Sequence, residues 1–318
     1  MAPSTQLTYE DVKQAGERIA GRVRPATVAP AAGLPTGGLW YALEFMQHTG
    51  SFKARGAYNF LAAHRESGTL PEAGVTIASG GNAGLACAWA ARGQGVRATV
   101  FLPRTAPTVK VARLRSYGAQ VQLVGEQYAD ALAACQDFAA RTGALASHAY
   151  DHPLIAAGAG TVVEEVLARV PGLDTIVVSV GGGGLFAGVA TAARQHGLRT
   201  VAVEPEHCRA FGAALVKGEP VDVTVDSVAA DALGARRVTP LALAAAGAGH
   251  TEAVLVTDAE IVKARQLLWD EGRLAVEHAA ATALAAIASG RYAPSDGEKV
   301  AVVLCGANTD PTDLVLPA

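Results

Sequence analysis

Four cysteines in 318 residues, at positions 87, 135, 208 and 305, stand too far apart for a CxxC pair. That spacing excludes a thiolate zinc site and a disulfide framework, and leaves reduced thiols as the simple reading. Basic residues do not dominate either: 26 Lys and Arg against 29 Asp and Glu give a formal charge of −3. No basic stripe is present to hold nucleic acid or an anionic membrane surface. Half of the residues are apolar, yet no stretch of about eighteen runs free of polar breaks, as a membrane-spanning helix would require. The opening MAPSTQLTYEDVK has no basic start before an apolar core, so no secretory signal is expected and the expected address is the cytoplasm. What remains is a globular protein, large enough for two lobes, whose partner is a small molecule.

From Gly74 onward, β-type and helix-type runs alternate: VTIAS, AGLACAWAARG, ATVFLP, TVKVARLRSYG, QVQLVG and QYADALAACQDFAARTG. A second series reads PLIAAGAGTVVEEVLARV, TIVVSV, GGGGLFAGVATAARQHG and RTVAVEP, and ends in EAVLVT, IVKARQLLWDEG and KVAVVLC. Such alternation predicts βαβ units and parallel sheets. TIVVSV and VAVVLC are apolar throughout, as central strands covered on both faces should be. Gly74, Gly95, Gly118, Gly143 and Gly197 fall where helix-ending turns belong.

In HTGSFKARGAYNF, residues 48–60, one lysine stands between a large ring and an arginine where a polar turn becomes a helix. Read locally, Lys53 is an exposed lysine in a first helical turn. Its company supports another reading, because Phe52 can lie against a flat cofactor while Gly50, Gly56 and Ala57 clear room for close approach. A lysine in so crowded an apolar setting has a lowered pKa and can form a Schiff base.

Three further stretches carry chemistry. In SVGGGGLFAGVA, Gly181, Gly182, Gly183 and Gly184 can present bare N–H groups to a phosphate at a helix start; a tight strand-to-helix crossing is the plainer alternative. Gly182, Gly184 and Ala187 also satisfy G-x-G-x-x-A, and Glu204 ends the next strand, so a nicotinamide or flavin enzyme stays open here, although it leaves SFK unexplained. In ASGGNAGLACAWAARG, Ser79 ends a strand and Asn82 is either an N-cap or a directional amide facing a carboxylate. VVLCGAN puts Cys305 at the mouth of a buried strand, followed by Gly306 and Asn308; such strand ends bind ligands, and a core thiol is the alternative.

Together and in this order, these stretches resemble the pyridoxal-phosphate enzymes of the tryptophan synthase β-like group (fold type II), and within it the serine/threonine dehydratases. ALEFMQHTGSFKARGA is similar to their Schiff-base lysine motif, ASGGNAGLA to the substrate-carboxylate loop, SVGGGGL to the phosphate cup and VVLCGAN to the segment at the pyridine nitrogen. VAADALGA is similar to a segment lying against the cofactor's other face. The likeness runs from residue 8 to residue 316. It implies an α/β fold of two open, twisted, mostly parallel sheets with flanking helices and the cofactor in the cleft between lobes. The implied domains are a small one, 43–150, and a large cofactor-binding one, 1–42 plus 151–318. Lys53 would hold pyridoxal 5'-phosphate, Gly181 to Gly184 with Leu185 would surround its phosphate, and Asn82 would meet the ring hydroxyl. Phe52 and Ala232 would sandwich the ring, and Cys305 would face its nitrogen. Ser79, Gly80, Gly81, Asn82 and Ala83 would receive the substrate.

The implied reaction is elimination of water from L-serine or L-threonine, with Lys53 as base, to give a 2-oxo acid and ammonia. A weak neutral partner such as Cys305 mutes the cofactor's electron sink, which disfavours transamination and favours prompt loss of a β leaving group. A racemase or β-replacement synthase of the same fold would share Lys53; an NAD-dependent oxidoreductase and a non-catalytic cofactor-binding protein are further alternatives.

The chain also departs from the pattern. Gly80 stands where relatives carry Ser or Ala and Ala83 where many carry His, which makes the pocket roomier. In AYDHP, Tyr150 and His152 replace Phe and Asp, so a phenol or imidazole could reach the site, and Ala159 replaces a Gln. The relatives' cation ligands fall at Glu204, Cys208 and Ala210, the last without a side-chain oxygen; K⁺ held through carbonyls is the expectation, not Mg²⁺. With the sequence ending at LVLPA, no C-terminal regulatory domain is expected, and a homodimer is implied by the resemblance.

Overall fold

The computed structural model describes residues 6–32 and 38–315. The first five residues of MAPSTQLTYEDVK and the last three of LVLPA lie outside the described residues. Among those described, the apolar runs form ten strands: β1 Val28–Pro30, β2 Leu39–Ala42, β3 Val75–Ala78, β4 Ala98–Leu102, β5 Gln120–Leu123, β6 Leu145–Ala146, β7 Thr175–Ser179, β8 Arg199–Pro205, β9 Thr251–Val256 and β10 Val300–Val303. They make two sheets, a six-stranded one in the order β1-β2-β10-β7-β8-β9 and a four-stranded one in the order β5-β4-β3-β6. Only the β1–β2 pair is antiparallel. The fully apolar runs behave as their composition requires: β7 and β10 lie side by side in the larger sheet with every residue buried. Among the described residues, no helix is long and apolar enough to cross a membrane.

Local signals set the helix ends. Thr8 and Asp11 form a capping box on Tyr9–Ile19, Thr257 and Glu260 another on Asp258–Gly272, and Gly143 closes Tyr128–Thr142 at φ 71°. The run PLIAAGAGTVVEEVLARV, read as one helical stretch, is two helices, Pro153–Gly160 and Val162–Arg169, parted at Thr161. There the Thr161 hydroxyl turns back to donate to the Gly158 carbonyl at 2.7 Å.

The helix Pro153–Gly160 is wedged between two others, Lys53–Glu66 and Gly184–Gln195, and glycine makes that possible. A Cβ on Gly158 would lie 2.6 Å from Gly56 Cα, and one on Gly160 would lie 2.5 Å from Gly188 O. Real side chains never approach so closely, so an alanine at either place would drive the helices apart. The two outer helices begin at Lys53 and in the glycine run 181–184. Close packing on one shared helix thus fixes the lysine relative to the glycine run.

Candidate active site

Lys53 is the first residue of its helix, and the strand-like segment before it pairs with the chain leaving β10. Ser51 bridges Gly306, and Phe52 N–H donates to Cys305 O at 3.0 Å. Its amine therefore emerges at the carboxyl end of a central parallel strand. Lys53 Nζ donates to Ala149 O at 3.0 Å and lies 4.8 Å from the Phe52 ring centroid. Burial holds this amine down to about 8, opposed in part by Cys305 and Glu277. The local reading of Lys53 as a surface lysine is corrected: its side chain is half-buried and its charged form disfavoured. Cys305 Sγ is 3.7 Å from Ser179 Oγ, and burial pushes the thiol up to about 12, so it stays neutral at physiological pH.

Asn82 is not an N-cap. Gly81 occupies that position, and the Asn82 side chain instead crosses to the other sheet's elements. Its Nδ2 donates to both oxygens of Glu277, at 2.9 and 3.0 Å, and its Oδ1 accepts from Asn308 Nδ2 at 2.6 Å. Glu277 also accepts the Asn308 backbone N–H at 2.7 Å. Burial raises the Glu277 carboxyl, partly countered by its Asn82 and Asn308 hydrogen bonds. Sequence reasoning passed over Glu277, which precedes the alanine-rich helix His278–Ala288 and looks there like an ordinary helix-start acid. Ser79, Gly80, Gly81 and Ala83 form the turn and first helical residues around Asn82. A Cβ on Gly80 would meet Leu102 Cδ2 at 2.8 Å, so glycine is needed here for close packing against Leu102 and does not by itself open space for a ligand.

The glycines at 181–184 form a walled cradle. A Cβ on Gly182 would lie 2.3 Å from the Tyr150 ring, one on Gly183 2.4 Å from Ala242 Cβ, and one on Gly181 2.9 Å from Leu233 Cα. Gly183 also adopts φ 94°. Bare backbone is thus required here, at the start of a twelve-residue helix whose free N–H groups favour an anion. Leu185 follows as a buried helical residue, and Ala232 sits beside Gly181 in the short helix Ala230–Leu233. Gly182→Ala should weaken the fold by about 1–3 kcal/mol through overpacking, and a second change, Tyr150→Ala, should restore melting by removing the ring it strikes.

Tyr150 therefore reaches the cradle, whereas His152 does not act as a site imidazole. Its Nδ1 accepts from Leu154 N–H at 3.1 Å, capping Pro153–Gly160, and its ring packs edge-on against Phe60. Glu204 corrects the dinucleotide reading. It is 1% exposed, and its two oxygens accept the backbone N–H groups of Phe211 and Gly212 at 2.8 and 2.7 Å, leaving nothing for a ribose. Cys208 is buried nearby, and no cluster of three or more His, Cys, Asp or Glu suited to a metal occurs among the described residues. All four cysteines are free and buried.

A lysine amine whose charge the fold opposes, near a cradle shaped for a phosphate, is what a carbonyl cofactor with a phosphate tail requires. Buried polar atoms add capacity the chain does not use itself, since Thr49 Oγ1 and Ser51 Oγ have no hydrogen-bond partner. The residues present fit pyridoxal phosphate. The chain belongs to the pyridoxal-phosphate dependent enzyme family, whose model matches residues 21–306. It is 36% identical over 313 residues to the L-threonine ammonia-lyase of Geobacter sulfurreducens, covering 96% of this chain and 76% of that protein. It is 36% identical over 295 residues to the human protein called serine dehydratase-like, covering 88% and 87%. The serine racemase of Dictyostelium discoideum superposes with a TM-score of 0.88 at 30% identity, over 96% of this chain and all of that one.

Proposed function

We propose that the protein is an ammonia-lyase acting on L-serine, L-threonine and larger β-hydroxy amino acids. The observation that carries this reading is the placement of the Lys53 amine at the carboxyl end of a central parallel strand near the glycine cradle, its pKa lowered by burial so that a fraction is unprotonated near neutral pH. When bound, pyridoxal phosphate withdraws electrons from the substrate's Cα and so acidifies its proton. Lys53 would hold the cofactor, and its free amine would take the substrate's α-proton on Nζ. The β-hydroxyl would take up that proton and leave as water, and hydrolysis would return one water, so the net products are a 2-oxo acid and ammonia. The glycine cradle and Leu185 would hold the phosphate, Phe52 and Ala232 would flank the ring, Asn82 would orient it, and Ser79 to Ala83 would receive the substrate carboxylate. Cys305, neutral with its thiol pushed up to about 12, supports elimination over transamination, because it does not keep the ring nitrogen protonated.

A racemase needs a second proton-transferring group on the face opposite Lys53, and Gly80 and Gly81 supply no side chain for it. The division of strands between the sheets supports a small domain, 43–150, and a large one, 1–42 plus 151–318. The free thiols fit a cytoplasmic address, and a homodimer is part of the proposal by likeness to the family. A potassium ion at Glu204 and Cys208 would rest on main-chain carbonyls, since both Glu204 oxygens already accept N–H groups.

Incubating the cofactor-loaded protein with L-serine, L-threonine and β-phenylserine tests the reading. Equimolar 2-oxo acid and ammonia are expected, at comparable turnover across the series because the small Ala83 side chain leaves room. Accumulation of D-amino acid faster than 2-oxo acid would overturn it in favour of a racemase.

A further inference from the structure

Asn308 belongs to the VVLCGAN stretch but has no role in the chemistry above, and its hydrogen bonds connect three separate parts of the site. Its Nδ2 carries two hydrogens. One bonds the Thr49 carbonyl at 2.7 Å and the other Asn82 Oδ1 at 2.6 Å, while its backbone N–H meets Glu277 Oε1 at 2.7 Å.

Each contact constrains something that would otherwise relax. Thr49 is buried at φ 64°, one of only two non-glycine residues with positive φ among those described, and its Oγ1 has no partner. A β-branched residue in that conformation persists only where its surroundings impose it. The turn leads directly into Lys53, four residues on, and is pinned to the 305–308 segment by Ala307 N–H donating to Gly50 O at 2.9 Å. Asn82 presents the complementary problem, because its amide could face either way. With Oδ1 against an Asn308 donor and Nδ2 against the Glu277 carboxylate, a flip would set donor against donor and oxygen against carboxylate.

We propose that Asn308 is a positioning residue, one amide that holds both the strained turn presenting Lys53 and the orientation of Asn82 toward the cofactor. The inference rests on the cofactor-binding reading of the site and not on which amino acid is consumed.

The test compares wild type, Asn308→Ala, Thr49→Gly and the double variant, reading melting temperature, the dissociation constant for pyridoxal phosphate, and kcat separately from KM. Asn308→Ala should lower melting, weaken cofactor binding about ten- to a hundredfold and lower kcat similarly, with KM moving little, the scale of a buried group left unpaired. Thr49→Gly should restore melting in the double variant, since glycine accepts φ 64° freely, but should restore neither cofactor affinity nor kcat, because Asn82 Oδ1 still lacks its donor and the amide is held from the Glu277 side alone. Asn308→Asp, which keeps the shape and loses both donors, should do no better than alanine. Cofactor affinity within about threefold of wild type in Asn308→Ala, or full recovery of kcat in the double variant, would overturn the proposal. Cofactor affinity and melting remain readable even if the protein releases no 2-oxo acid, so failure of the ammonia-lyase reading stays distinguishable.

Discussion

Lys53→Met is expected to lower 2-oxo acid release by at least about 10³-fold, within the range for loss of a positioned base, while leaving the cofactor-free protein more stable at pH 7. The two halves have one cause. The amine sits at about 8 in the folded chain against 10.5 for an ordinary lysine, so the fold opposes its charge. That gap corresponds to about 3 kcal/mol. Below pH 8 wild type bears this cost in full, because the unfolded chain keeps its proton at no penalty. Between pH 8 and 10.5 the unfolded state binds more protons than the folded one, and wild-type stability rises with pH. Melting scans should therefore show the methionine variant ahead by a few degrees at pH 7 and level with wild type above pH 10.5. A variant that melts lower than wild type at pH 7 would mean that Lys53 is not desolvated.

Much of this site was legible from residue types. A lysine among a ring and small residues, a glycine run after an apolar strand, and a glycine-bordered Asn at a helix start are local signals, and each lies within a few residues of its structural consequence. The parts that stayed hidden are contacts between distant segments. Glu277 touches Asn82 across 195 residues of chain, and nothing in AVEHAAATA distinguishes it from a helix-start acid. Tyr150 and His152 looked equivalent as departures from a pattern, yet two residues of chain separate a ring on the cradle from a helix cap. Likewise Ala159 drew notice only as a replacement for Gln, whereas the glycines on either side of it, Gly158 and Gly160, mark where helices cross.

Arg55→Met should cost about 3–5 kcal/mol, the loss expected when a buried ion network loses its only cation, and lower the melting temperature by roughly ten degrees. The guanidinium is fully buried and all five of its N–H donors are used. Nε and Nη2 meet Glu44 at 2.7 Å each, Nη1 and Nη2 meet Glu165 at 2.7 and 2.9 Å, and Nη1 also meets Thr161 Oγ1 at 3.2 Å. Burial works against the charge, but Glu44 and Glu165 more than offset it and raise the pKa. Removing Arg55 strands Glu44, itself 1% exposed. The double change Arg55→Met with Glu44→Met should recover much of the stability, since well-packed apolar groups often replace buried ion pairs without loss. Turnover should not recover with it. Arg55 lies two residues after Lys53, in the first turn of the same helix, and its bonds tie that turn to the segments holding Glu44 and Glu165. Methionine fills space but has no directional bonds, so the helix start could settle slightly rotated and move Nζ off the substrate's α-proton, where a displacement near 1 Å costs about a hundredfold. Stability regained without activity would identify the network as what holds Lys53 in register; regaining both would reduce it to packing.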